Sequence, residues 1–357
     1  MPTARLPLLL LSVVCLACSA EPSSQSGADA GRTFTPTQYS VADFYANKEF
    51  FGASFSPDRK KLLVASNTSG IWNAYAVPVA GGAMEPLTTS TTNAIFPVGY
   101  FPNDERILYS SDEGGNERSH LYVRHPDGSI KDITPGTKHA ASFLAWAGDD
   151  QSFFITSNER DQRFFDVYEV NADGLGKTLV YANTDGYGIA GVSRDKRYLA
   201  LVKSYTTSDQ DIFLQDLQKK TATNITKHTG TVNNSPAAFS PDGAKLLFVS
   251  DSGREFASLL SYNVADGSRE TVYEQDWDIV GARYSKSGTY LIVGVNDDAK
   301  VTARVFDAKT MQPVSLTGMP TGLVSGFTVS PDDSLIAFYA SDGSVPNELY
   351  VRTIAES

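Results

Sequence analysis

A turn signal recurs seven times along this chain at a nearly fixed interval, and that periodicity restricts the fold more than any other feature. A Ser-Pro-Asp-like turn precedes a β-rich apolar run at Ser56-Pro57-Asp58, Pro102-Asn103-Asp104, Gly148-Asp149-Asp150, Ser193-Arg194-Asp195, Ser240-Pro241-Asp242, Ser285-Lys286-Ser287 and Ser330-Pro331-Asp332. Counted at Asp58, Asp104, Asp149, Asp195, Asp242, Ser287 and Asp332, the steps are 46, 45, 46, 47, 45 and 45 residues. A second marker, a large apolar residue in a later strand, falls at Tyr75, Tyr122, Tyr168, Phe213, Leu260, Val305 and Tyr350, with steps of 47, 46, 45, 47, 45 and 45. A period of this length accommodates four short strands, which is one propeller blade. The expected fold is therefore all-β: a seven-bladed β-propeller of four-stranded antiparallel blades over residues 40–357, with the last blade incomplete.

Each blade reads as strand A, the turn, strand B, a polar loop, strand C and an outer strand D. Pro presets φ in the A–B turn and Asp bonds the backbone two residues on, so both residue types are turn chemistry. Examples of strand D are Pro86-Leu87-Thr88, Asp132-Ile133-Thr134, Leu179-Val180-Tyr181 and Asn224-Ile225-Thr226, and blades one to six are each expected to have one. After Glu348-Leu349-Tyr350-Val351 only Arg352 to Ser357 remain, with no apolar strand to follow. An open strand-C edge exposes backbone donors and acceptors and invites self-association. The alternative is that Arg32 to Tyr39 adds across this edge, with Pro36 weakening it as a strand.

With 357 residues, 41% of them hydrophobic, the chain has ample material for a core built by radial repetition. Its net charge of −11 excludes the basic footprint of a nucleic-acid partner. Residues 1–20 read as a signal peptide, with Arg5 ahead of an apolar run from Leu6 to Ala17 that is too short to span a bilayer. Cleavage before Cys18 and lipidation there is one exit, and ordinary cleavage after Ala20 is the other. Residues 21–39 form a polar linker suited to tethering an anchored domain. The expected location is the periplasmic side of a cell envelope, as an outer-membrane lipoprotein or a secreted form, touching membrane only through the anchor. Both cysteines, Cys15 and Cys18, lie in this leader, so the mature domain has no thiol nucleophile.

Several segments resemble the propeller of bacterial prolyl oligopeptidase-family serine peptidases. They are Asp43-Phe44-Tyr45-Ala46-Asn47, Trp72-Asn73-Ala74-Tyr75, Ser111 to Glu117, His120-Leu121-Tyr122, Ser157 to Asp161, Phe165-Asp166-Val167-Tyr168, Glu255-Phe256 and Asp276-Trp277-Asp278. The generic turn repeat is shared with TolB-type propellers. In the family the resemblance points to, an α/β-hydrolase domain follows, with its serine on a Gly-x-Ser-x-Gly elbow. This sequence contains no such pentapeptide: Gly191-Val192-Ser193 continues with Arg194-Asp195. The resemblance implies a non-catalytic propeller that gates or binds peptides, stand-alone or truncated from a peptidase, with a peptide, a hydrolase domain or an envelope protein as partner. A TolB-like interaction module is the alternative.

No catalytic residue and no cofactor are expected. The histidines, His120, His125, His139 and His228, lack zinc-site spacing. The polar B–C loops, opposite the A–B turns, ring one end of the central channel. In some members of the family resembled, propeller glutamates bind a peptide's free amine, which makes Glu113, Glu117, Glu159 and Glu255 the candidates, with Arg160 beside them. Arg160 equally reads as half of a blade-stabilising ion pair with Asp161 or Asp166.

Overall fold

The structure, a computed structural model, describes residues 36–320, 322–342 and 346–354. They fall in two units, residues 1–47 and 48–357. In the first, the described residues form one short helix, α1 (Val41–Tyr45), capped by Ser40. The Ser40 hydroxyl accepts the Asp43 N–H at 3.3 Å and the Asp43 carboxylate accepts the Ser40 N–H at 2.7 Å. This reciprocal cap satisfies two donors that would otherwise have no partner. Residues 32–35 of the segment considered for edge closure lie outside the described residues.

The second unit is a seven-bladed propeller whose strands follow one another as simple meanders. Blade one holds β1 (Phe50–Phe55), β2 (Lys61–Ser66), β3 (Asn73–Pro78) and β4 (Glu85–Pro86); blade two holds β5 (Phe96–Tyr100), β6 (Ile107–Ser111), β7 (His120–Arg124) and β8 (Ile130–Asp132). Blade three holds β9 (Ala141–Trp146), β10 (Ser152–Asp161), β11 (Phe164–Asn171) and β12 (Lys177–Tyr181); blade four holds β13 (Gly188–Val192), β14 (Tyr198–Thr206), β15 (Asp209–Asp216) and β16 (Thr221–Asn224). Blade five holds β17 (Asn234–Phe239), β18 (Lys245–Ser250), β19 (Ser258–Asn263) and β20 (Arg269–Tyr273). Blade six holds β21 (Asp278–Tyr284), β22 (Tyr290–Asp297) and β23 (Lys300–Asp307), and blade seven holds β24 (Leu323–Val329), β25 (Leu335–Ser341) and β26 (Glu348–Thr353).

The second sequence marker occupies one register position throughout. Its residues pair as Val64 with Tyr75, Tyr109 with Tyr122, Ile155 with Tyr168, Leu201 with Phe213, Phe248 with Leu260, Ile292 with Val305 and Phe338 with Tyr350. B strands are buried on both faces, which is why they read as continuous apolar runs such as Leu62-Leu63-Val64-Ala65. Successive residues serve opposite neighbours: Leu62 and Val64 pack toward blade seven, and Leu63 toward blade two. Each of the seven interfaces between adjacent blades carries its own apolar cluster, so the core is itself a ring.

Two details differ from the sequence expectation. The expected fourth strand of blade six is reduced, among the described residues, to a single bridge between Phe306 and Pro313, because proline has no N–H to give a ladder. In blade two the backbone closure at Phe101 matches that at Ser56, so Asn103 rather than Asp104 is the equivalent of Asp58. The outer edge is also finished by side chains. Thr88, Thr134 and Thr226 each present Oγ1 to a strand-C N–H, on Ala74, Leu121 and Ile212, at 2.7–2.9 Å.

Candidate functional site

The A strands of blades seven and one, one and two, three and four, four and five, and five and six lie against one another, and the A strands together form the innermost ring. Each carries a register shift against strand B, the mark of a β-bulge that bends the inner strand and increases its twist. Inside this ring is a cavity of about 580 Å³, bordered by Ser54, Tyr100, Trp146, Arg194, Arg283 and Phe327 among others. Its contour includes the A–B turns, through Pro57, Pro102, Gly148, Lys286 and Pro331.

Side chains tie those turns together across the ring. Arg194 of blade four donates to the carbonyls of Ser285, at 3.1 Å, and Lys286 in blade six. Lys286 in turn donates to the Asp150 carboxylate of blade three at 2.8 Å. Burial pushes the Arg194 guanidinium below its ordinary pKa, with Asp150 acting in the opposite sense. Arg59 of blade one pairs with Asp332 of blade seven, which continues the lacing around the circle. The result is a cavity whose A–B rim is held by charged side chains, across non-adjacent blades at Arg194 and Lys286 and between neighbours at Arg59.

Of the residues singled out from the sequence, Glu113, Glu117 and Glu255 lie on B–C loops, whereas Glu159 and Arg160, expected on one, lie within strand β10, because the hairpin of blade three runs on to Asp161 before it turns. Glu113, Glu117 and Glu255 are exposed, and none of their carboxylates has a hydrogen-bond or ion-pair partner among the described residues. Glu159 is instead engaged by Lys177, from the outer strand of its own blade. Arg160 makes a two-pronged contact with Asp166, Nε at 2.6 Å and Nη2 at 2.7 Å, and reaches the Asn183 carbonyl at 3.3 Å. Asp166 is fully buried and also accepts the Asn183 N–H at 2.8 Å. Three of the five candidates are thus free to meet a ligand, while two are committed inside blade three. Cys18 lies outside the described residues.

The histidines sit at blade edges. His120 bonds Asp132 at 2.8 Å and stacks on His139 at a centroid separation of 5.6 Å. His228 is held at both nitrogens, by Asp209 at 2.9 Å on Nε2 and by the Thr226 carbonyl at 3.0 Å on Nδ1, with the Asp211 carboxylate 3.1 Å from Nδ1. Its hydrogen bond to Asp209, first of all, raises its pKa. Among the described residues no group of three or more His, Cys, Asp or Glu is arranged to hold a metal ion. Sequence reasoning missed Arg283 and the Asp150–Lys286–Arg194 lacing. Arg283 was findable by comparing the residue two places before each turn; the lacing joins residues up to 136 positions apart and left no local signal.

Comparison with known proteins agrees with this geometry. The family model described as the prolyl oligopeptidase N-terminal beta-propeller domain matches residues 92–355. Dipeptidyl aminopeptidase BIII of Pseudoxanthomonas mexicana is 27% identical over 308 residues, covering 83% of this chain and 44% of that protein. The chain therefore spans less than half the length of that relative. Among solved structures, a prolyl endopeptidase aligns with a TM-score of 0.64 at 15% identity, over 86% of this chain and 48% of the other. An oligogalacturonate lyase in complex with manganese aligns at 0.65 and 14% identity, over 87% and 91% of the two chains. TolB from Acinetobacter baumannii aligns at 0.51 and 16% identity, over 89% and 80%. At such identities the likeness is one of fold.

Proposed function

The chain belongs to the prolyl oligopeptidase N-terminal β-propeller family, and from that premise we propose that it admits and holds short peptides, in the manner of a propeller serving a serine-peptidase catalytic domain. The observation that carries this reading is the central cavity of about 580 Å³ within the ring of A strands. That volume falls in the range of about 300–1,000 Å³ typical of small-ligand sites. Glu113, Glu117 and Glu255, unengaged on the B–C loops, supply carboxylates for a peptide's ammonium group. The chemistry here is recognition rather than bond cleavage, because no Gly-x-Ser-x-Gly elbow occurs in the sequence.

The test is binding of short unblocked peptides to the purified chain, followed by calorimetry. Weakening by Glu113→Gln, Glu117→Gln or Glu255→Gln, and by acetylation of the peptide, supports the reading; retention of a folded envelope protein with no peptide binding favours a TolB-like interaction module. The same proposal places the chain on the periplasmic side of an envelope, anchored at Cys18. Cys18→Ser should move it from the membrane to the soluble fraction, and a wild-type chain already wholly soluble would remove the anchor from the proposal.

A further inference from the structure

One residue breaks the sevenfold pattern of the inner ring. In every blade the strand-A residue two places before the closing turn residue pairs with the same strand-B position: Ser54 with Leu63, Gly99 with Leu108, Ala145 with Phe154, Gly191 with Ala200, Ala238 with Leu247, Arg283 with Ile292 and Thr328 with Ala337. Six of these equivalent residues are small, and the seventh is an arginine. The backbone departs in the same blade. The register shift sits between Ile279 and Gly281, whereas in blade five it sits between Pro236 and Ala238, two residues nearer the turn. The fold as such thus asks for a small side chain here.

Arg283 borders both the central cavity and a smaller one of about 270 Å³ between blades six and seven. It is open to solvent, yet enclosed deeply enough that burial alone lowers its pKa. Among the described residues it has no hydrogen-bond or ion-pair partner. The other cations of the rim are spoken for: Arg194 by two carbonyls, and Lys286 by Asp150, the acid that borders the cavity. A guanidinium keeps its charge in such a place, and with no protein counter-ion beside it Arg283 is available to an anion that enters the cavity. Its planar fork matches a carboxylate with two parallel hydrogen bonds.

We propose that Arg283 is the carboxylate-recognition residue of the central cavity and holds the C-terminal carboxylate of a short peptide. This rests on the peptide-binding reading above and adds the end of the peptide that enters the ring. Tyr100, Trp146 and Phe327 provide apolar surface around the same space.

The experiment compares Ala-Phe-Ala carrying a free C-terminus with its C-terminal amide, by calorimetry on the wild-type chain, Arg283→Gln and Arg283→Lys. In the wild type the free acid should bind at least about tenfold more tightly than the amide, the size of effect a charge-assisted pair gives. Arg283→Gln should abolish that preference, and Arg283→Lys should keep part of it. Because the acid–amide comparison is made on the wild type, it stands even if a variant folds poorly. Equal binding of acid and amide overturns the role of Arg283 and leaves the peptide reading intact. A preference that persists in folded Arg283→Gln places the carboxylate elsewhere and also overturns it. Binding of neither peptide at millimolar concentration overturns both readings.

Discussion

Asp166 shows how a charge is kept inside a blade: three donors, two from Arg160 and one from the Asn183 backbone, surround a carboxylate with no solvent exposure. Replacing it with alanine leaves the guanidinium and the N–H without their acceptor. Asp166→Ala should therefore destabilise the chain by about 2–3 kcal/mol, read from chemical denaturation. His228 makes a pH-dependent contribution. Its folded-state pKa is raised by Asp209, so the stability it adds is fully present below its ordinary value near ~6.5 and is lost as pH rises through the higher folded value. The Thr226 carbonyl and Asp211, which itself accepts the Tyr205 hydroxyl at 3.1 Å, both face its Nδ1. His228→Gln should cost more at about pH 5.5 than at about pH 8.5, and an equal cost at both would remove the charge from the account.

At the scale of elements, the outer edges of blades six and seven are the weak places. Strand β11 pairs with β10 and β12, whereas β26, among the described residues, pairs with β25 alone. The amides of β26 that point away from β25 should exchange with solvent much faster than those of β11 in a monomeric sample. Protection of Leu349–Ile354 equal to that of β11 would show that another segment covers the edge. Blade six has its own version of the same economy, since Pro313 can accept from a neighbour but cannot donate to it.

For the whole molecule, the question is what closes the ring where blade seven meets blade one. No described strand is shared between the two blades. Closure rests on an apolar cluster, with Phe55, Leu62 and Val64 from one side and Ala337 from the other, and on polar contacts around it. The Tyr339 hydroxyl, buried so that its pKa rises, donates to the Gly52 carbonyl at 2.5 Å. Tyr339→Phe removes this bond and leaves the carbonyl unpaired. It should cost about 1–2 kcal/mol and lower the unfolding midpoint without changing the denaturant slope. A stability equal to wild type would mean that the apolar cluster closes the ring by itself.

The sequence by itself determined the number of blades and the strand order within them. Both follow from a local pattern, a turn that fixes a hairpin and recurs at a fixed interval. It also showed Glu113, Glu117 and Glu255 as polar loop residues, because loops are legible from composition. Sequence order does not say which side chains meet across the ring. Arg160 could be read either as ligand-binding or as structural until Asp166 was seen beneath it. The lacing of Arg194 to blade six and of Lys286 to Asp150 depends on where seven turns come to rest around one axis. Arg283 lies between the two cases: its size is visible in the sequence, but its place on the cavity wall without a protein counter-ion is fixed only when the blades close around it.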